Sequence, residues 1–204
     1  MSFAPVFSSF KTLSLSFALL GALLTMPASA QALEPMLLAM ARAGNDQAQL
    51  SVGRAYFFGE GVRQNQREGF RWLIRSARQG NPMAQLYVGN AYSFGAGIER
   101  NDVKAAHWYL SAAKSGLAEA QFNLGLCYAD GTGIAQNTAK ALEWYRESAA
   151  QDFPSAQNNL GLMYETGEAV DRDLPLAESF YAEACSGGFG VACRNLARLR
   201  QAGL

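Results

Sequence analysis

The sequence predicts an all-α solenoid of four two-helix repeats, each 36 residues long, with a helical cap at each end. Three observations predict it. Ala48, Gln49, Gly53, Tyr56 and Gly59 recur as Ala84, Gln85, Gly89, Tyr92 and Gly95, then as Ala120, Gln121, Gly125, Tyr128 and Gly131, and again as Ala156, Gln157, Gly161, Tyr164 and Gly167. A fixed period in this range marks units that must stack on their neighbours to bury an apolar face. Within a unit, apolar residues return at helical spacing twice, as Ala84, Val88, Ala91 and Tyr92 and then as Ala105, Trp108, Tyr109, Ala112 and Ala113. Glycines punctuate the chain between the two helices, at Gly95-Ala96-Gly97, and after the second, at Gly116. With half of its 204 residues apolar and 17% charged, the chain can bury a substantial core and is too apolar to be disordered. A solenoid has no single centre, so function is expected along an extended surface.

Residues 1–30 stand apart. Lys11 precedes an uncharged apolar segment from Leu13 to Met26, and Pro27 leads into Ala28-Ser29-Ala30, the pattern of a secretory signal peptide with a small-residue cleavage site. The segment is shorter than the roughly 20 residues of a spanning helix, and no second one follows. The chain is expected to be exported, to start at Gln31 and to carry no membrane span after cleavage; an uncleaved anchor is the alternative. No cysteine lies near the cleavage site to accept a lipid. Cleavage removes Lys11 and no acid, leaving 16 bases against 17 acids, a balance that implies no nucleic-acid partner. The charges are unevenly placed: residues 42–83 hold seven arginines and three acids, whereas 156–191 hold six acids and one arginine.

Residues 31–47 form the first cap. Gly44 and Ala41 lie one period before Gly80 and Ala77, so Pro35 to Ala43 reads as a lone second helix. The repeats follow at 48–83, 84–119, 120–155 and 156–191. In each, Gly53 and its equivalents sit beside the apolar face, where the missing side chain lets the second helix approach. The second helices start after Asn65, Asn101, Asn137 and Asp173, residues whose side chains cap a helix N-terminus, and Glu68 is placed to complete a capping box with Asn65. Gly80, Gly116 and Gly188 are the expected left-handed terminators. Residues 192–204 form the second cap, in which Ala192, Asn195, Leu196 and Leu199 continue the first-helix pattern.

The pattern A-x-x-x-L-G-x-x-Y-x-x-G-x-G-V-x-x-D/N-x-x-K-A-x-x-W-Y-x-x-A-A resembles the SEL-one-like repeat, a relative of the tetratricopeptide repeat. Ala120-Gln121-Phe122-Asn123-Leu124-Gly125 with Lys140-Ala141-Leu142-Glu143-Trp144-Tyr145 carries the match best. The fourth unit departs most, with Ala169 in place of glycine and Phe180 in place of tryptophan. The resemblance implies a right-handed α/α solenoid whose first helices line a concave, protein-binding face. It specifies a fold and a style of binding better than an activity.

Cys185 occupies the alanine position of a second helix, and Cys193 the glutamine position of the following first helix. The Cys-x7-Cys spacing resembles the staple of the cysteine-rich secreted branch of the same family, which implies a Cys185–Cys193 disulfide in an oxidising compartment. Cys127 aligns with Ala55, Ala91 and Met163 and reads as a buried thiol.

Little in the sequence points to catalysis, and neither a metal nor a cofactor is expected. His107 is the only histidine, and its equivalents Arg71, Glu143 and Ser179 make a variable, polar column. The Gly-x-Gly loops recur in the first three units and follow a helix instead of a strand, which makes them turns and not phosphate cradles. The resemblance to the cysteine-rich branch keeps one alternative, a β-lactam-binding or hydrolase-like protein.

Opposite the core face of the first helix lie the third, seventh and tenth positions of the repeat. They read Leu50, Leu86, Phe122 and Asn158; then Arg54, Asn90, Leu126 and Leu162; then Phe57, Ser93, Ala129 and Glu165. Tyr87, Asn123 and Asn159 flank them, as do Phe58 and Phe94. An apolar groove is expected, with Leu50, Arg54, Phe57, Leu86, Tyr87, Asn90, Phe94, Phe122, Asn123, Leu126, Asn159 and Leu162 as partner-binding residues. Apolar anchors would carry the energy and asparagines would bind a peptide main chain. The other reading of Leu50, Leu86 and Phe122 is that they pack sideways on the next repeat. The protein is thus expected to be a monomeric, periplasmic adaptor, regulator or inhibitor that binds another protein of the cell envelope, an immunity protein against a delivered effector being one form of this.

Overall fold

The computed structural model describes residues 33–202; the leader expected at residues 1–30 lies outside them. Ten helices and no strand occur among the described residues. The lone helix α1 (Pro35–Arg42) comes first. Four pairs follow: α2 (Asp46–Phe58) with α3 (Gln66–Arg78), α4 (Pro82–Phe94) with α5 (Asp102–Lys114), α6 (Ala118–Asp130) with α7 (Thr138–Ala149), and α8 (Pro154–Thr166) with α9 (Leu174–Ser186). Helix α10 (Gly190–Gln201) closes the array. Each helix packs chiefly on its neighbours in sequence, the arrangement of an all-α solenoid.

The second helix of every pair starts at its expected cap. Side chains of Asn65, Asn101, Asn137 and Asp173 accept the backbone N–H three residues on, at 2.9–3.1 Å. The capping box expected of Glu68 does not form. The Asn65 N–H is already donated to the Tyr56 carbonyl at 2.7 Å, as those of Asn101, Asn137 and Asp173 are to Tyr92, Tyr128 and Tyr164. Glu68 turns instead to Arg71. This recurring bond ties the start of each second helix to the end of its first.

Close approach inside a pair depends on the glycine column. A Cβ at Gly125 would lie 2.6 Å from the Tyr145 ring, and one at Gly89 would meet Tyr109 equally closely. The alanines around these contacts, Ala84, Ala91, Ala112, Ala120 and Ala156, are fully buried.

Between pairs, a buried glutamine crosses the turn to the preceding second helix. Nε2 of Gln49, Gln85 and Gln121 donates to the carbonyls of Ala41, Ala77 and Ala113. At the C-terminal end the same two positions are Cys193 and Cys185, and they are joined by a disulfide with Cα atoms 4.7 Å apart. A covalent link therefore stands where three of the other junctions have a hydrogen bond, and it fastens α10, which packs on α9. Gly80, Gly116 and Gly188 are left-handed as expected, and Asp152 takes that conformation in the third repeat (φ 57°).

Candidate functional site

Among the twelve residues expected to line the first-helix face, three are core. Leu50, Phe57 and Leu86 are only 6%, 8% and 1% exposed. Leu50 and Phe57 pack with Val88 and Ala91 of α4, and Leu86 packs with Ala120 and Leu124 of α6. The cause is geometric. A position opposite the core of its own pair need not face water, because each first helix also packs sideways against the next repeat. Phe122 is half-buried between its own pair and the next, its ring 5.8 Å from that of Tyr145 on α7 and 5.4 Å from that of Phe153 at the start of α8.

The stripe that remains on the surface is rotated toward the fourth, seventh and eleventh positions. At its N-terminal end Arg54 pairs with Glu60 at 3.1 Å and lies 5.9 Å above the Tyr87 ring. Tyr87 meets Phe58 edge-on at 5.6 Å. Phe58 and Phe94 are 47% and 56% exposed, high for aromatic side chains on ordered helices.

Amides occupy the middle and the C-terminal end. Tyr109 donates its hydroxyl proton to Oδ1 of Asn90 at 2.8 Å, which fixes the amide, and the Asn90 side chain also bonds Glu119, whose carboxyl burial raises. Asn123 has no hydrogen-bond partner for its side chain among the described residues. Leu126 and Leu162 are half-buried beside it and further along. Tyr145 bonds Asn159, and Asn195 of α10 donates to Asn158 at 2.9 Å. Burial raises the Tyr109 and Tyr145 hydroxyls above the usual tyrosine range, so both stay protonated donors.

Two groups, Asn195 and Glu119, escaped the sequence reading of this face, and Glu165 was placed in its outward column without a role. Asn195 continues the Asn123, Asn159 column one further period, a signal the spacing does carry. Glu119 and Glu165 were less legible, because each is fixed by a partner far away in sequence. Glu165 accepts the Tyr181 hydroxyl at 2.7 Å and both terminal nitrogens of Arg198 at 2.6 and 2.7 Å. The Arg198 guanidinium, aided by Tyr181, holds its carboxyl below the usual carboxylate range.

Two clefts open elsewhere. One of about 670 Å³ is lined by Arg67, Phe70 and Arg71 of α3 and by Gly95, Gly97, Ile98 and Glu99 of the turn after α4. The other, about 230 Å³, is lined by Asp152, Gln157, Glu183, Ser186 and Gly187, with Gln157 donating to Glu183. No group of three or more His, Cys, Asp and Glu able to hold a metal ion occurs among the described residues. Cys127 is buried, and burial pushes its thiol up to about 12, so it is not a thiolate nucleophile at neutral pH. Ser111-Ala112-Ala113-Lys114 has the Ser-x-x-Lys spacing of β-lactam-acylating serines. Here it lies on the solvent side of α5, and the Ser111 hydroxyl donates to the His107 carbonyl.

Helix pairs stacked on their neighbours in sequence define an α/α repeat protein, whose surfaces are assembled from several units. The chain belongs to the Sel1 repeat family, whose repeat matches residues 46–81, 82–117, 118–153 and 154–189. It is similar to a protective antigen with an SLR fold from uropathogenic Escherichia coli, with a TM-score of 0.79 and 33% identity. That match covers 83% of this chain and 36% of the antigen, so the chain spans about a third of its relative's length. It is also similar to a Sel1 repeat protein from Oxalobacter formigenes, with a TM-score of 0.74 and 33% identity over 80% of this chain and 67% of the other. None of the curated proteins matches the sequence. Sel1 repeats are in general non-catalytic modules that bind proteins.

Proposed function

We propose that the protein is a periplasmic, monomeric adaptor, regulator or inhibitor that binds a partner protein of the cell envelope on the face of its first helices. An immunity protein against a delivered effector is one form of this function. The observation that carries the reading is the chemistry of the surface stripe. A face that met only water would be charged, whereas this one sets Phe58, Tyr87, Phe94, Leu126 and Leu162 among the amides of Asn90, Asn123 and Asn159. Apolar side chains supply contact area, and amides can pair with the main chain of an extended segment laid across the repeats. Export is supported by the leader pattern of residues 1–30 and by a disulfide that an oxidising compartment permits. No helix among the described residues is long and apolar enough to cross a membrane.

Affinity capture from the native envelope with the full exported chain, compared with Tyr87→Ala/Asn123→Ala, tests the reading. One protein retained by the first and lost by the second is the expected result; equal recovery would overturn the assignment of the face. The single Asn123→Ala variant serves if the double one folds poorly. Hydrolysis or covalent capture of a chromogenic β-lactam, lost in Ser111→Ala, would instead support the β-lactam alternative.

A further inference from the structure

The outer face of α3 carries a feature that a first-helix binding site does not use. Arg67, Arg71, Arg75 and Arg78 are all exposed and follow one another at i, i+4, i+8 and i+11, a stripe about 16 Å long at 1.5 Å per residue. Little neutralises it. Glu68 pairs with Arg71, and Arg75 lies 4.5 Å above the Trp72 ring, while Arg67 and Arg78 have no ion pair among the described residues.

The N-terminal end of the stripe leads into the 670 Å³ cleft, where Arg67 and Arg71 stand beside Phe70 and the exposed Ile98, with one acid, Glu99, on the opposite rim. The same outer positions carry Val103, His107, Ser111 and a single cation, Lys114, on α5, and Glu143 and Glu147 on α7. A line of four cations at these outer positions is therefore found on α3 alone, with a recess lined by Phe70 and Ile98 at one end.

We propose that this stripe and cleft form a second docking site, for an acidic peptide segment of a partner protein that places one apolar side chain between Arg67 and Arg71. Charge complementarity along a line argues for a linear acidic ligand. A planar anionic sheet laid on this face would also meet Glu143 and Glu147. The acids a second copy of the chain would offer, six of them in residues 156–191, are spread over α8, the turn after it and α9 instead of along one line, and Glu165 and Glu178 are already paired with Arg198 and Arg200. Paired arginines suit carboxylates because each guanidinium can hold one through two parallel hydrogen bonds.

Fluorescence anisotropy reads the site directly. The probe is a short fluorescein-labelled peptide of glutamates around one central phenylalanine, titrated with the full chain at low ionic strength. Binding is expected to fall by about tenfold or more in Arg67→Gln/Arg71→Gln, by less in Arg75→Gln/Arg78→Gln, and steeply with added salt. Replacing the phenylalanine by glutamate should weaken it several-fold. Because all four side chains are exposed, the variants should keep the parent's circular dichroism and melting temperature. Absent binding, equal binding by Arg67→Gln/Arg71→Gln, or equal binding of the all-glutamate peptide would each overturn the proposal. Tighter binding to phosphatidylglycerol vesicles or to a single-stranded oligonucleotide would overturn it too, as would low-salt dimerisation abolished by the same variant. Asn123→Ala should leave peptide binding unchanged, which separates a failure here from a failure of the first-helix reading.

Discussion

Ser115 shows how one side chain can leave a repeat unfinished. In the first and third repeats Gln79 and Gln151 donate to Oε1 of the buried glutamines Gln49 and Gln121, both at 2.7 Å. Ser115 occupies that position in the second repeat and bonds Ser111 instead, so Oε1 of Gln85 is buried without a partner. A buried acceptor left unpaired costs about 1–3 kcal/mol. Ser115→Gln is accordingly expected to stabilise the protein by about 1 kcal/mol in urea unfolding, with an unchanged m-value. Ala169 is the second such residue. It holds φ 61° where Gly97 and Gly133 stand in the other repeats, a region that costs a residue with a Cβ about 1–2 kcal/mol. Ala169→Gly relieves that strain and adds unfolded-state entropy, so a net gain of roughly 0.5–1 kcal/mol is expected from thermal melts. At Gly97 and Gly133 an added Cβ would collide with the carbonyls of Gln66 and Asp102; the turn around Ala169 is exposed where theirs are half-buried. The fourth turn has traded packing for tolerance of alanine.

Among the elements, α10 shows a terminal helix compensating for packing on one side only. It is fastened by the Cys185–Cys193 disulfide, by Asn195 on Asn158, and by Arg198 on Glu165. Closing so short a loop stabilises by roughly 2.5 kcal/mol in the chain-entropy model. A thiol titration of the denatured oxidised protein should find Cys127 alone, and that of the reduced protein all three cysteines. The carboxyl of Glu165 titrates lower when folded than unfolded. Its contribution is therefore complete above the unfolded value of about 4.3 and is lost as pH falls through the depressed native value. Glu165→Gln should lower stability at neutral pH by roughly 1 kcal/mol and flatten the loss below pH about 4.3, as read from urea midpoints across that range. The helices themselves were legible in the sequence, because caps at Asn65, Asn101, Asn137 and Asp173 and the glycine and alanine columns act within one unit. The proposed binding face was only partly so. A repeat's own periodicity places Leu50, Phe57 and Leu86 opposite its core, but how far each pair is rotated against the next decides whether such a position meets water. That rotation depends on contacts between units, which no single unit encodes.

Across the whole molecule, nearest-neighbour packing makes stability a property of junctions instead of one centre. A defect should therefore act according to its place along the array. Gly125 lies in the third pair, and a side chain there would drive into the Tyr145 ring from 2.6 Å away. Neither helix can retreat freely, since Leu124 and Ala141 on either side are fully buried. Gly125→Val is expected to cost about 3 kcal/mol or more by overpacking and to uncouple the repeats on its two sides. Gly161→Val makes the same kind of collision with Tyr181, but beyond it stands only α10. Hydrogen exchange read by mass spectrometry separates the two cases. Gly161→Val should raise exchange in α8, α9 and α10 while α2 to α5 keep their protection. Gly125→Val should raise it on both sides of the third pair, because the outer segments each lose a stacked neighbour. Uniform loss of protection in both variants would mean that the array unfolds as one cooperative block, and that the binding face cannot be weakened at one end without being lost at the other.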